Sequence, residues 1–316
     1  MSIVTREATV YEEVRTSAPA VPAPAEAVSP AEMAERCERA GVAKARLDAV
    51  SLVGLAILAG AFIALGAVFM TTVTTGAAML PFGLAKLLGG LVFSLGLILV
   101  VVAGAELFTG NNLIVMAFMN RRVTLRQLLR NWGLVYLGNF IGAVLVALLV
   151  FASQQYKAAG GAVGANALAI AAAKVGLAFG PALALGILCN ALVCLAVWLC
   201  FSARSTTDKI LAIIFPVAAF VAAGFEHSIA NMYLITIGLL IKWLDPGFVA
   251  GLGGAVNLSR LTLSGFLLGN LLPVTLGNII GGAGLVGLTY WLIYLRPKRR
   301  RAAEAMAAWA QGDGTR

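Results

Sequence analysis

Three ionisable side chains lie deep inside long apolar runs of the sequence: Glu106, Glu226 and His227. His227 is the single histidine of the chain. Its imidazole, with an ordinary pKa of about 6.5, can donate a hydrogen bond to an anion near neutral pH or hand it a proton. Ionisable groups at membrane depth usually serve a function rather than packing, so His227 is the first candidate for a functional centre.

The two glutamates belong to a repeated phrase in which glycine precedes glutamate and asparagine follows it at fixed spacing. The copies are Gly104-Ala105-Glu106 with Asn111, and Gly224-Phe225-Glu226 with Asn231. Because a charged carboxylate would repel an anion, we predict that Glu106 and Glu226 instead accept backbone N–H groups freed by a break in their own helix. Asn111 and Asn231 are predicted to brace the same breaks. Thr109 is predicted to face His227.

A second phrase is repeated downstream of each copy of the first. It reads Leu137-Gly138-Asn139-Phe140-Ile141-Gly142 and then Leu276-Gly277-Asn278-Ile279-Ile280-Gly281. Each copy contains a G-x-x-x-G pair, which allows helices to pack closely. The chain therefore reads as two copies of one unit. Glycine-interrupted apolar segments at matching places in two halves indicate a transport site.

Membrane helices must position these residues. Of 316 residues, 60% are hydrophobic and 12% are charged, against about 25% charged in a soluble domain. Four uncharged runs reach the roughly 20 residues needed to cross a bilayer; they are 49–70, 132–151, 181–201 and 271–295. Two longer runs, 87–120 and 210–241, contain the first phrase. Each of these predicts one crossing made of two half-helices.

The predicted fold is therefore an all-α membrane protein with six transmembrane helices, three in each copy, and with broken second and fifth helices. An odd number of crossings places the second copy upside down relative to the first, so the breaks meet near the midplane. Backbone that leaves a helix inside a bilayer must be buried in protein or line a cavity. Half-helix N-termini present N–H groups and partial positive charge, which suits a small anion.

The basic residues predict the orientation. Fifteen flank the spans on one side, at 36–46, 121–130, 204–209 and 296–301, and five lie in the loops on the other side. Because cytoplasmic loops are rich in lysine and arginine, both termini are predicted to be cytoplasmic, in a cell inner membrane. We expect a disordered leader at 1–28, an amphipathic helix at 29–48, a channel domain at 49–295 and a basic tail at 296–316. The repeats are predicted at about 49–151 and 181–295, and 166–175 could form a short outer helix.

Other function classes lack their signatures. There is no H-E-x-x-H or other metal spacing, no nucleophile elbow, no P-loop and no dinucleotide fingerprint. The four cysteines form no C-x-x-C pair. We therefore predict no enzyme activity, no catalytic residue, no metal and no cofactor. The net charge of +9 is explained by orientation, so no nucleic-acid partner is predicted.

Several of these strings together resemble the formate/nitrite transporter family, most closely its formate channels. The resemblance rests on Met79-Leu80-Pro81-Phe82-Gly83, Ala105-Glu106-Leu107-Phe108-Thr109-Gly110 and Phe225-Glu226-His227-Ser228-Ile229-Ala230-Asn231. It implies an aquaporin-like 3+3 inverted repeat, assembled as a homopentamer with one pore in each subunit. Thr109 and His227 would then form the pore centre.

The same resemblance implies further site residues. Phe93, Leu97, Leu107 and Phe220 would form apolar constrictions on either side of the centre. Lys174 would be a cation of the outer vestibule that attracts anions, and Asn190 a polar partner near it. The chain has Glu106 where formate channels often carry aspartate, and Gly110-Asn111 where they often carry two small hydroxyl residues.

The substrate stays open at this point. Formate is the first candidate, and nitrite and hydrosulfide are alternatives because relatives that carry them share the same histidine and threonine. Transport could be passive or coupled to a proton through His227. A pore for water or glycerol is a hypothesis of another class, but the paired N-P-A signature of such pores is absent.

Overall fold

The structure, a computed structural model, describes residues 28–299. These residues form helices, turns and loops and contain no strand. We number the helices α1 Pro30–Arg46, α2 Ala49–Val73, α3 Phe82–Ile98, α4 Phe108–Met119, α5 Leu125–Ala152, α6 Ala162–Gly176, α7 Phe179–Cys200, α8 Thr206–Ala222, α9 Ser228–Leu244, α10 Pro246–Gly251 and α11 Gly265–Arg299. All but the last residue of the predicted leader at 1–28 and most of the predicted tail at 296–316 lie outside the described residues.

Six described helices are long and apolar enough to cross a membrane, which agrees with the predicted number, although one member differs. The six are α2, α3 with its extension to Gly104, α5, a helical segment Ala159–Gly176 that contains α6, α7 and α11. The fifth predicted crossing is not among these six long helices because its break divides it into α8 and α9, each of 17 residues.

We assign the fifth crossing to α8 and α9 rather than to α6. The segment containing α6 has the lowest mean hydropathy of the six, at 1.2. Its regular α-helix has 15 residues and is thus about 22 Å long, shorter than the roughly 30 Å hydrocarbon core. The chain is therefore a multi-pass membrane protein with six crossings, of which the second (α3 and α4) and the fifth (α8 and α9) are broken, as predicted.

The structural repeat contains one more helix per copy than the predicted boundaries 49–151 and 181–295. In the first copy, α1 precedes the first crossing and contacts its broken helix. In the second copy, α6 does the same before the fourth crossing. The equivalence is visible in matched contacts: Lys44 of α1 pairs with Glu106, and Lys174 of α6 pairs with Glu226. Each copy is therefore a short helix followed by three crossings.

The glycines of the second repeated phrase bring the crossings together, as predicted. A Cβ on Gly142 of α5 would overlap the carbonyl oxygen of Ile57 on α2. A Cβ on Gly281 of α11 would likewise overlap the carbonyl oxygen of Ile187 on α7. Backbone contact of this kind is available only to glycine. The first crossing therefore packs against the third, and the fourth against the sixth, in the same way.

The two faces of the protein are distinguished by the helices that lie there. Both described ends lie on one face, where Lys298 forms an ion pair with Glu35 of α1. We call this the terminal face; it is the predicted cytoplasmic side. The opposite face, here the far face, carries α6 and the loop between α2 and α3, which are joined by hydrogen bonds from Asn166 to the Thr71 carbonyl and the Thr74 hydroxyl.

Candidate functional site

Both breaks begin at a glycine in a left-handed conformation. Gly104 has φ 84° at the end of the second crossing's first half, and Gly224 has φ 73° just after α8. This conformation is strained for residues with a Cβ, so each glycine allows the helix to stop inside the membrane. Extended backbone follows, and new helices start at Phe108 and Ser228.

Asparagines from the third and sixth crossings satisfy the backbone of the breaks. In the first copy, Asn139 accepts the N–H of Phe108 at 2.9 Å and donates to the carbonyls of Glu106 at 2.9 Å and Ala56 at 2.7 Å. These three bonds satisfy backbone polar groups that lipid could not satisfy where the helix is broken. The bond from Phe108 also occupies the first N–H of the half-helix, which we predicted to be available to an anion.

The second copy repeats this arrangement. Asn278 accepts the N–H of Ser228 at 3.0 Å and donates to the carbonyls of Glu226 at 3.0 Å and Gly186 at 2.8 Å. The glutamate N–H groups are satisfied equivalently, since Glu106 donates to the Leu55 carbonyl and Glu226 to the Leu185 carbonyl. The two breaks are therefore built by the same contacts.

The carboxylates of Glu106 and Glu226 are bound by side chains, not by the backbone N–H groups that we predicted. Glu106 accepts from Lys44 Nζ at 2.6 Å and from Asn111 Nδ2 at 2.7 Å. Glu226 accepts from Lys174 Nζ at 2.8 Å and from Asn231 Nδ2 at 2.6 Å. The prediction of their partners was wrong because the asparagines described above, together with carbonyl groups of the first and fourth crossings, already satisfy the backbone.

A further asparagine in each copy ties this network to the short helix. Asn131 accepts from Asn111 at 2.9 Å and donates to the Lys44 carbonyl at 3.1 Å. Its counterpart Asn270 accepts from Asn231 at 2.8 Å and donates to the Lys174 carbonyl at 2.9 Å. We call the lysine, the glutamate and the three asparagines of each copy its polar brace; Lys44, Glu106, Asn111, Asn131 and Asn139 form one, and Lys174, Glu226, Asn231, Asn270 and Asn278 form the other.

Thr109 and His227 meet between the two breaks. The Thr109 hydroxyl lies 3.0 Å from His227 Nε2, and both residues are buried. His227 Nδ1 accepts the backbone N–H of Ala230 at 3.0 Å, so the ring also caps the start of α9. Since Nδ1 is an acceptor, the proton of the neutral ring sits on Nε2, from which it can be donated to the Thr109 oxygen.

The centre is where the two copies differ. By their place after the glutamates, Leu107 of the first break corresponds to His227 of the second, and Thr109 corresponds to Ile229. The polar pair therefore consists of one residue from each copy, placed at positions that are not equivalent. In each case the counterpart residue is apolar.

A cavity of about 630 Å³ extends from the far face to His227. It runs from the loop at residues 77–82, past Lys174 on α6, to Phe93 and Phe220. The two phenyl rings stand edge to face with centroids 5.9 Å apart, and Phe220 stacks on the His227 ring at 6.0 Å. The cavity therefore ends at these two phenylalanines and His227, and Thr109 is not on its wall. Leu97 and Leu107 are buried and are not on the cavity wall.

Asn190 and Lys174, which were predicted as vestibule residues, are placed differently from each other. Lys174 lines the cavity, but its ammonium group is engaged by Glu226. Asn190 is fully buried on α7, away from the cavity wall. It donates to the Thr109 carbonyl at 3.3 Å, to Asn112 Oδ1 at 2.9 Å and to the Asn278 carbonyl at 2.7 Å. The prediction that Asn190 is a vestibule residue is therefore wrong. Its hydrogen bond to the Thr109 carbonyl helps to position Thr109 instead.

Comparison with known proteins gives the class. The family model described as "Formate/nitrite transporter" matches residues 31–292. The chain is 52% identical to the formate channel FocA of Escherichia coli (strain K12) over 275 residues, which is 86% of this chain and 96% of that protein. It is 44% identical to the formate channel FocA of Haemophilus influenzae over 264 residues, covering 83% and 93% of the two chains.

A solved structure described as a pentameric formate channel with formate bound is also similar. It superimposes with a TM-score of 0.73 at 48% identity, covering 78% of this chain and 98% of that one. An all-helical membrane protein with two broken crossings is thus matched over most of its length by both sequence and structure. The chain belongs to the formate/nitrite transporter family, whose members are transporters and not enzymes.

Sequence reasoning missed five residues of the polar braces: Lys44, Asn131, Asn139, Asn270 and Asn278. Two signals were available. Asn139 and Asn278 occupy the same place in the second repeated phrase. Lys44 and Lys174 both stand in an A-K-x-x-L string that precedes a crossing. A buried glutamate in each copy requires a cation in each copy, and the two A-K-x-x-L strings supply these lysines.

Proposed function

We propose that this chain forms a formate channel in an inner membrane, with both termini cytoplasmic and with one pore in each subunit of a homopentamer. The names of the similar proteins favour formate and the pentamer. The observation that carries the proposal is the 3.0 Å contact between Thr109 Oγ1 and His227 Nε2, located between two half-helix starts and next to the far-face cavity.

The chain of hydrogen bonds at the centre makes Thr109 the donor to the anion. The Ala230 N–H donates to His227 Nδ1, and the Nε2 proton is therefore directed to the Thr109 oxygen. The Thr109 hydrogen is then free to point away from the ring and bond a carboxylate oxygen. A hydrogen bond to a charged acceptor is stronger than one to a neutral acceptor, so this donor offsets part of the loss of water.

The apolar rings make that donor necessary. Between Phe93 and Phe220 a formate ion loses its hydration shell, and an unpaired charge in apolar surroundings is very unfavourable. The starts of α4 and α9 add partial positive charge near the centre. Because the asparagines occupy their first N–H groups, the half-helices act on the anion by charge, and Thr109 acts by direct hydrogen bonding.

Proton coupling would need a different state of His227. Handing a proton to formate requires an imidazolium, and an imidazolium carries a proton on Nδ1 as well. That proton would meet the Ala230 N–H, so the ring would have to give up the helix cap. The observed cap favours passage of formate as an anion past a neutral ring, and passage as formic acid is the alternative outcome of the test.

The test is flux into proteoliposomes with formate, nitrite and hydrosulfide in parallel, at several pH values, beside shrinkage and swelling assays for water and glycerol. We expect wild-type protein to pass formate faster than the other anions. His227→Ala protein that remains assembled is expected to lose formate anion flux while formic acid still crosses. Unchanged anion flux in that variant would contradict the role of the centre, and solute-driven swelling without anion flux would point to a neutral-solute pore.

A further inference from the structure

The charges on the wall of the far-face cavity are not balanced. Four ionisable side chains line it: Lys86, Lys174, Glu226 and His227. Lys174 and Glu226 form an ion pair of 2.8 Å, with side chains 15% and 5% exposed, so their charges offset each other. His227 is neutral in the hydrogen-bonding arrangement described above. The net positive charge of the cavity wall therefore comes from Lys86.

Of the two lysines on the cavity wall, Lys86 is the one that is exposed to solvent. It lies on α3, one turn after Phe82, and is exposed in the single chain. Its ammonium group is 5.5 Å from the Phe82 ring, a contact that orients the charge without neutralising it. Among the described residues 28–299, no carboxylate lies within ion-pair distance of it, whereas Lys157 on the same face pairs with Asp245 at 3.2 Å.

We propose that Lys86 is the side chain that draws anions into the far-face cavity, and that Lys174 serves instead to hold Glu226 in its polar brace. The proposal rests on the proposed function, since it assigns the first step of anion entry. It replaces the expectation that Lys174 attracts the anion. Both lysines line the same cavity, but one carries a free charge and the other a compensated one.

The two roles differ in their dependence on salt. A free charge at a cavity mouth raises the local concentration of anions over a distance of about a Debye length, which is roughly 10 Å at 0.1 M salt and roughly 3 Å at 1 M. Removing such a charge should lower entry by about two- to fivefold at low ionic strength, with little effect at high ionic strength. Since only entry changes, the apparent KM should rise while the maximal rate stays the same.

Removing Lys174 should give another pattern. Without its ammonium group the Glu226 carboxylate is left buried and without its cation, which strains the second break whatever the salt concentration. Flux through a Lys174→Gln protein should therefore fall equally at low and at high ionic strength, and assembly should weaken. Lys86→Gln and Lys86→Arg should both assemble normally, with Lys86→Arg close to wild type in flux.

The experiment that tests the proposal attaches either a positive or a negative charge at the same position of the folded protein. Lys86→Cys is purified, labelled with either a cationic aminoethyl or an anionic sulfonatoethyl methanethiosulfonate reagent, and reconstituted for initial-rate formate influx at subsaturating formate. All four native cysteines are buried, so the new thiol is the accessible one. Lys157→Cys, on the same face but outside the cavity wall, is labelled and measured in the same way as a matched control.

At low ionic strength the cationic label at position 86 should restore influx to within about twofold of wild type, and the anionic label should lower it by about fivefold or more. The difference should disappear at high ionic strength and should be absent at position 157. Equal rates for the two labels at position 86, or an equal difference at position 157, would overturn the proposal while wild-type formate flux persists. Absence of formate flux in wild-type protein would overturn the proposed function itself.

Discussion

The two helix breaks share one frame and differ in their chemistry. Each has a left-handed glycine, a glutamate bound to a lysine of the preceding short helix, and three asparagines in equivalent bonds. At the positions that face the centre they diverge. The first break has Leu107 and Thr109 where the second has His227 and Ile229.

This difference distinguishes the residues that hold the molecule from those that we propose act on a solute. Contacts present in both copies satisfy irregular backbone and buried charge, and any broken membrane helix needs them. Residues present in one copy are not required for the break, because the other copy forms it without them. The centre at Thr109 and His227 is therefore free to serve function, and the polar braces are expected to tolerate very little change.

The largest effect is expected from the asparagines that both breaks share. Asn139→Ala and Asn278→Ala each leave one N–H and one carbonyl of the break without a partner and remove a second bond from a helical carbonyl. At about 1–3 kcal/mol for each orphaned buried group, both should lose more than about 2 kcal/mol of stability. Thermal unfolding in detergent and the yield of monodisperse protein measure the loss.

Asn166→Ala is the matched control for that pair. Asn166 also makes several hydrogen bonds, but it lies half-buried on the far face, where water can replace them. Its loss should be below about 1 kcal/mol. A large loss in one break with a small loss in the other would mean that the two frames are not equivalent.

Substitutions of the lysines in the polar braces should have the next largest effect on stability. The loss should be larger for the more buried lysine. The Lys174 side chain is 15% exposed and that of Lys44 is 34% exposed. Lys174→Met leaves Glu226 uncompensated and should cost about 3 kcal/mol, with Lys44→Met costing less because Lys44 is the more exposed lysine and its removal opens a path for water to Glu106. In the double variant Lys174→Met/Glu226→Gln most of the stability should return, as followed by thermal unfolding. No recovery would show that the pair does more than neutralise a buried charge.

Exchanging a centre residue for its counterpart should change flux more than stability. His227→Leu puts into the second break the residue that the first break carries at that place. We expect formate flux to fall by at least about tenfold, and stability to fall by only about 1 kcal/mol through loss of the cap on α9. Leu107→Met, a change of similar size in the first break, should keep flux near wild type. Loss of folded His227→Leu protein would contradict the separation of frame and function.

A smaller loss of stability than in the polar braces is expected at the two glycines. An added Cβ at Gly104 or Gly224 meets no atom within 4 Å, so Gly104→Ala and Gly224→Ala carry only the strain of the left-handed conformation. Each should lose about 1–2 kcal/mol in thermal unfolding, with similar values at the two breaks. Gly54→Ala, on α2 in open space and without a positive φ, should be neutral or slightly stabilising.

The crossings and the breaks could be predicted from the sequence because they depend on local patterns. Run length and the absence of charge predicted the crossings, and a glycine before a buried glutamate predicted each break. His227 and Thr109 were predicted to meet through the repeat, and the structure places them 3.0 Å apart.

The partners of Glu106, Glu226 and Asn190 could not be predicted in the same way. Their contacts join residues far apart in the chain, such as Lys44 with Glu106 and Asn190 with Thr109, and no local pattern specifies which of several polar groups will lie nearest. The repeat would have limited the choice, since a contact in one copy must have its counterpart in the other. The predicted repeat did not include α1 and α6, so it did not match Lys44 with Lys174.

The Thr109 hydroxyl is the most direct test of the centre. Formate influx into proteoliposomes should be compared for Thr109→Val, which keeps the shape of the side chain and removes the donor, and for Thr109→Ser, which keeps the donor. With equal assembly of both variants, we predict that Thr109→Ser retains most of the wild-type flux and that Thr109→Val loses at least about tenfold. Wild-type flux through Thr109→Val protein would contradict the claim that this hydroxyl receives the anion between the two breaks.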